Sequence, residues 1–171
     1  YVVRAGDEMY TAPNLILATG SEPAVPGIPG LEQALGESRA VTSRGILDLP
    51  QVPQSLAVIG GGVVGLEMAA YYNAAGAKVT VIEMLDHVAG NMDAELSALL
   101  MQEMSKKGVA FYLNSRVQSV QGHAVAFSQD GKKMSVAFDK LLLSAGRRAR
   151  LIEGVEKAGQ IVKNGFVEVD E

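Results

Sequence analysis

Apolar and polar positions follow two different periods along the chain, and the switches between them mark the elements. "LAVI" (56–59) is an unbroken apolar run, as expected of a strand covered on both faces. From Val63 to about Ala75 the period is helical, and Gly76 stands at the left-handed position just past its end. "KVTVIE" (78–83) is a second strand. "DAELSALLMQEMSKK" (93–107) is the clearest helix. Asp93 caps it, Glu95 and Lys106-Lys107 complement its dipole, and Gly108 ends it. Leu96, Leu99, Leu100 and Met104 are expected on its buried face. "VAFYL" (109–113) is a third strand.

The period then shortens to two. "RVQSVQ", "HAVAFS" and "MSVAF" read as antiparallel strands, with Asp130-Gly131 as the hairpin turn between the last two. "KLLLSAG" (140–146) is a fully apolar strand expected at the centre of a sheet. The fold class is therefore α/β: a Rossmann-like, doubly wound parallel sheet in which a three-stranded β-meander replaces one crossover helix.

The flanks are less regular. Residues 1–19 alternate short strands with turns at Gly6-Asp7 and Pro13-Asn14, and "NLILAT" (14–19) reads as a buried strand. "EPAVPGIPGLEQALGE" has neither period and reads as a linker or wrapped surface segment. "TSRGILDLP" (42–50) suggests one helical turn, with Ser43 as cap and Pro50 as stop. "LIEGVEKAG" reads as loop or short helix, and "QIVKNGFVEVDE" as a hairpin around Asn164-Gly165. Both ends are strand-like and the chain lacks an initiator Met, so a piece of a longer protein is expected, with exposed strand edges near both ends.

Composition narrows the function. The 171 residues suffice for one domain or one domain and part of another. A net charge of −4 with no basic run argues against nucleic acid and against a membrane surface. The absence of cysteine excludes disulfides, thiolate metal sites and a cysteine nucleophile within this chain. No signal-peptide pattern opens it, which favours the cytoplasm. His87 and His123 lack partners at metal-ligand spacing and read as surface or loop residues. Tyr71 and Tyr72 read as packing residues. Met84, Met92, Met101 and Met104 read as core and gap filler.

The chemistry lies in Gly60-x-Gly62-x-x-Gly65, set between strand and helix. The first glycine permits a tight turn, the second lets backbone amides approach a pyrophosphate, and the third lets helix and strand pack closely. The phosphates would rest on the free N–H groups of Gly61, Gly62, Val63 and Val64 at the helix start. Ala69 is small where the helix crosses the sheet. Glu83 lies 18 residues past Gly65, close to the spacing of an acid that binds a ribose 2′-hydroxyl. These independent cues favour a dinucleotide site over a merely glycine-rich turn. No arginine follows Glu83 among Met84, Leu85, Asp86 and His87, which favours NAD, or the adenosine half of FAD, over NADP.

Three segments together resemble the pyridine nucleotide-disulfide oxidoreductases. "LILATGSEPAVPGIPG" (15–30) is similar to the family's second FAD-contact segment. "VIGGGVVGLEMA" with "VTVIEML" is similar to its NAD fingerprint, and "LLLSAGRRAR" (141–150) to its last NAD-domain strand. "GLEMA", "VIEMLDHV" and "LNSRV" are nearest the dihydrolipoamide dehydrogenase branch. The resemblance implies residues 1–21 as the end of an FAD-binding domain, 22–50 as a linker, 51–150 as the NAD-binding domain and 151–171 as the return towards the FAD domain. It implies electron flow from a dithiol through a disulfide and FAD to NAD+, with the disulfide and the acid/base residues outside this chain, so that the fragment alone binds NAD(H). It also implies a homodimeric parent, associated with a 2-oxo acid dehydrogenase or glycine cleavage complex.

Position by position, the resemblance places Gly60 to Gly65 on the NAD pyrophosphate and Glu83 on the adenosine ribose. Val117 would line the adenine pocket. Glu67 and Gly146 would approach the nicotinamide, and Val63 stands where some relatives carry a tyrosine gate. Thr19, Gly20 and Ser21 match the FAD-contact turn, and Arg147 and Arg148 are candidates for flavin phosphates or a solvated pair. Ala149-Arg150 departs from the family's usual Pro-Asn. An NADH oxidase, a CoA-disulfide, glutathione or mercuric reductase, and a stand-alone non-catalytic nucleotide module remain open as alternatives.

Overall fold

A computed structural model describes residues 1–156, 162–163 and 165–169. In chain order the strands begin with β1 (Val2–Ala5), β2 (Glu8–Thr11) and β3 (Ser21–Pro23). Then come α1 (Leu31–Gly36), β4 (Ala40–Thr42), β5 (Ser55–Ile59), α2 (Val63–Ala74), β6 (Lys78–Ile82), α3 (Ala94–Lys106) and β7 (Ala110–Tyr112). The meander is β8 (Ser115–Gln121), β9 (Ala124–Gln129) and β10 (Lys132–Ala137), followed by β11 (Lys140–Leu143), β12 (Arg147–Ala149), β13 (Val162–Lys163) and β14 (Phe166–Val167). They form two compact units: Pro23–Gly146, and Tyr1–Glu22 with Arg147–Glu171.

The larger unit is built on a five-stranded sheet of order β4-β11-β5-β6-β7. Every neighbouring pair in it is parallel. β5 and β11 are flanked on both sides and covered on both faces, which is why they are apolar at nearly every position. Leu56 and Val58 point to one core with Leu66, Ala69 and Tyr72 of α2 and Met104 of α3. Ala57 and Ile59 point to the other, with Leu31 and Ala34 of α1 and Val120, Val125 and Phe127 of the meander. The doubly wound architecture expected from the sequence is thus present, and the meander β10-β9-β8 is antiparallel throughout. Asp130 and Gly131 both adopt positive φ, the geometry of a tight hairpin turn.

α3 begins at Asp93, whose side chain accepts hydrogen bonds from the N–H groups of Glu95 and Leu96. Its buried face is the expected one only in part: Met104 and Leu100 face the core as expected, but Leu96 and Leu99 do not. Leu96 and Leu99 are 55% and 52% exposed, while Ser97 and Met104 are buried and Leu100 and Met101 pack on the core. The helix is turned so that the Ser97 hydroxyl donates to the Val88 carbonyl at 2.7 Å, drawing a polar residue inward. Met84 and Met92 are likewise exposed rather than core.

Residues 23–50 do not behave as a linker. They supply α1, whose Leu31 and Ala34 are fully buried, and β4, which pairs with β11. α1 is under two turns long and has no side-chain cap, so it leaves little periodic trace. Gly30 starts it at φ 80, where an added Cβ would lie 2.0 Å from the Val120 carbonyl oxygen. The expected turn at 42–50 is closed by the Ile46 N–H donating to the Thr42 carbonyl at 3.0 Å.

In the smaller unit β1 and β2 form an antiparallel hairpin across Gly6-Asp7, and β3 pairs with β12. The buried strand expected at 14–19 is absent: these residues form no strand and Ile16 is 89% exposed. A strand is held by lateral hydrogen bonds, and none of the described residues supplies it a neighbour. β13 and β14 pair as expected, with Val162 opposite Val167, while Asn164 at the turn lies outside the described residues, as does the end of the "LIEGVEKAG" segment.

Phe127 is fully buried and its ring centroid lies 5.0 Å from that of Tyr112. Phe127→Ala should lower unfolding free energy by about 3–5 kcal/mol, read from the urea midpoint at unchanged slope.

Candidate functional site

β5 ends at Ile59, in the middle of the sheet. β6 lies on one side of it and β11 on the other, so the strand order runs outward in both directions from this point. Such a switch point opens a crevice at the carboxyl ends of the strands. The Gly60 N–H donates to the Ile82 carbonyl at 2.9 Å and the Ser144 N–H donates to the Ile59 carbonyl at 2.8 Å, tying the three strand ends together.

The three motif glycines owe their places to different things. Gly60 has φ 103, and a Cβ there would meet the Ser144 carbonyl oxygen at 2.3 Å. A Cβ on Gly65 would meet the Gly60 carbonyl oxygen at 2.3 Å. Both are required by the protein itself. Gly62 is different: its φ of −71 and ψ of 174 suit any residue, and nothing lies within 4 Å of an added Cβ. No contact among the described residues calls for a glycine there. Gly62 is also the N-cap of α2, which has no side-chain cap and no acid in its first turn. The positive end of the helix therefore faces the crevice with backbone donors to spare.

Glu83 follows β6 and is only 9% exposed. Its Oε2 accepts from the Gly61 N–H at 2.5 Å and its Oε1 from the Leu85 N–H at 2.8 Å. The Gly61 carbonyl in turn accepts from the Ala89 N–H at 2.8 Å. Residues 84–92 thus form a strap beside the glycine turn. Ala89 holds the left-handed conformation at φ 64, unusual for a residue with a side chain. The contacts of Ser144 with Ile59 and of Ala89 with Gly61 leave no trace in the sequence, because backbone atoms make them.

The other candidate residues are divided between the two units. Val63 and Val64 are exposed at the start of α2. Glu67, one turn on, is exposed and lines a groove of about 600 Å³ between α2 and α3, shared with Ala70, Met92, Leu100 and Met104. Val117 is half-buried on β8 opposite Phe127. Gly146 has φ 97, and its carbonyl accepts from the Ala24 N–H at 3.0 Å. In the smaller unit Thr19 is half-buried, and the Gly20 carbonyl accepts from the Arg150 N–H at 3.0 Å. Arg147 donates to the Ser21 hydroxyl and carbonyl at 2.8 and 2.6 Å, and Arg148 pairs with Glu22 at 2.7 Å. Tyr72 is buried and donates to the Ile46 carbonyl at 2.6 Å, whereas Tyr71 is 62% exposed and meets it only edge-on.

His87 sits in the strap with acceptors at both ring nitrogens, the Asp86 carboxylate at 2.6 Å and the Gly90 carbonyl at 3.0 Å. Two acceptors favour the doubly protonated ring. The hydrogen bond to Asp86 raises its pKa above the ordinary 6.5; desolvation is the next influence and opposes the rise, while the Asp86 charge, the Gly90 carbonyl and the Glu83 charge add to it. The same contact lowers Asp86 below 3.8. Stability from His87 should be fully present below pH 6.5 and be lost as pH rises through its raised value. That from Asp86 should be lost as pH falls through its lowered value. Proton NMR titration of His87, with thermal midpoints against pH for wild type and His87→Ala, checks both. Gly62→Ala should leave the ligand-free chain within about 0.5 kcal/mol of wild type, the entropy gained by removing a glycine being offset because alanine caps a helix less well. Gly65→Ala should destabilise it, since backbone oxygen blocks the added methyl; thermal unfolding of the two variants separates these cases.

The pyridine nucleotide-disulphide oxidoreductase family model matches residues 2–171. The dihydrolipoyl dehydrogenase of Acholeplasma laidlawii is 35% identical over 170 residues, covering 99% of this chain and 50% of that protein. The HOCl-induced flavoprotein disulfide reductase RclA from Escherichia coli superposes with a TM-score of 0.73 at 29% identity, over 89% of this chain and 35% of that one. Reduced Bacillus anthracis CoADR-RHD superposes with a TM-score of 0.74 at 27% identity, over 93% and 29%. The chain spans half the length of the first relative and about a third of the two solved structures. It belongs to the pyridine nucleotide-disulphide oxidoreductases, a family of oxidoreductases that use flavin and nicotinamide cofactors.

Proposed function

We propose that residues 51–150 carry the NAD-binding site of a dihydrolipoamide dehydrogenase-type flavoenzyme, with residues 1–21 and 151–171 belonging to its FAD-binding domain. The observation behind this reading is Gly62. A glycine that neither its dihedral angles nor its neighbours require is explained by a group that must lie against the backbone there, and a pyrophosphate is such a group. The uncapped start of α2 supplies the donors it needs. Glu83 supplies acceptors for the adenosine ribose diol, and Val117 an apolar wall for adenine. Glu67 and Gly146 stand towards the nicotinamide, and Thr19, Gly20 and Ser21 towards the flavin of the whole enzyme.

When bound, the nicotinamide supplies the hydride chemistry. This chain's residues bind and orient it. The sequence contains no cysteine, so a redox disulfide of the whole enzyme would come from residues other than these. The likeness to the flavoprotein disulfide reductase RclA supports a second reading, in which the same site serves reduction of a disulfide substrate.

Titration calorimetry with NAD+, NADP+ and FAD tests the reading. NAD+ should bind about tenfold or more tightly than NADP+, a difference of about 1.4 kcal/mol. Gly62→Val should lose that binding while keeping its thermal midpoint. A preference for NADP+ would overturn the role of Glu83, and tight FAD binding that Gly62→Val abolishes would reassign the glycine motif.

A further inference from the structure

We infer that Glu83 has a second role besides meeting the ribose: it braces the glycine turn, and the brace together with the ribose diol fills the carboxylate. This rests on the proposed nucleotide site but is decided by a separate measurement. An ionised carboxylate offers about four lone-pair sites and no donor. One site on Oε2 is taken by the Gly61 N–H at 2.5 Å and one on Oε1 by the Leu85 N–H at 2.8 Å. Two remain, one on each oxygen, and the 2′- and 3′-hydroxyls of a ribose bring two donors.

Two consequences follow from that count. First, the Gly61 amide belongs to the brace and not to the phosphate cradle, which leaves Gly62, Val63 and Val64 as the backbone donors to the pyrophosphate. The Gly61 peptide is held from both sides, because its carbonyl accepts from Ala89. Its own Cβ position is pressed against the Glu83 stem, with Glu83 Cβ at 3.2 Å. Secondly, Glu83 is a specificity residue that cannot be neutralised without cost to the turn. A glutamine there keeps one oxygen and points its NH₂ at either the Gly61 or the Leu85 amide, leaving a donor facing a donor at a buried position. Replacing Glu83 to admit a 2′-phosphate would therefore slacken the pyrophosphate cradle at the same time.

The test compares wild type with Glu83→Gln and Glu83→Ala in the full chain. Amide hydrogen exchange of the ligand-free proteins should show Gly61 and Leu85 exchanging about tenfold or more faster in both variants, with core amides such as Val58 and Val81 unchanged. Calorimetry should show Glu83→Gln weakening both ADP and 2′-deoxy-ADP, and weakening ADP more. Unchanged exchange at Gly61 and Leu85, or a loss confined to ADP with 2′-deoxy-ADP bound as by wild type, would overturn the brace. If wild type binds neither nucleotide, the cofactor reading fails, and the exchange comparison still decides the brace by itself.

Discussion

The closeness of β5 to α2 is the constraint on which the rest of this chain depends. Two carbonyl oxygens, those of Gly60 and Ser144, occupy places where side chains would otherwise stand, each 2.3 Å from a Cβ that glycine lacks. Because the helix can come that near, its start is brought to the edge of the sheet and its apolar face lies flat on β5 and β6. Ala69 and Tyr72 are then buried behind it. Without that approach the Gly61 amide would not reach the Glu83 carboxylate, and the crevice would have no floor.

Around this contact the molecule uses backbone groups more than side chains. The strand ends are joined by the amides of Gly60 and Ser144, and the strap is joined to the turn by the amide of Ala89. Such a site is stiff because each peptide is fixed by its neighbours rather than by a rotamer. In the proposed function, such a crevice, with few charged side chains, meets the charge of an anionic ligand with oriented dipoles at a helix start.

What the sequence made legible was local. The glycine triplet, Asp93 as cap and Asp130-Gly131 as turn each declare themselves within a few residues, because their conformations are set by their own backbone and side chains. What stayed hidden depends on distant partners. Leu31 and Ala34 are buried only because the meander covers them, and Ala40–Thr42 is a strand only because β11 lies beside it. The rotation of α3 was hidden for the same reason: Leu96 and Leu99 look like core in a helical wheel, but Ser97 has a carbonyl to meet at Val88. "NLILAT" is the converse, a strand-like run with no neighbour among the described residues. At the candidate site, the glycines and Glu83 were readable from spacing, whereas Gly62 differs from its two companions only through contacts that folding creates at Gly60 and Gly65.

The place of β4 in the sheet bears on how the larger unit is to be cut and transplanted. β4 comes before the glycine motif in the chain yet flanks β11, which comes last. A boundary drawn at the motif would remove it and turn Leu141–Leu143 into an open edge, three leucines with free backbone groups and apolar faces, the kind of edge that pairs between copies. The transferable module is therefore the whole of Pro23–Gly146, Pro- and Gly-rich opening included.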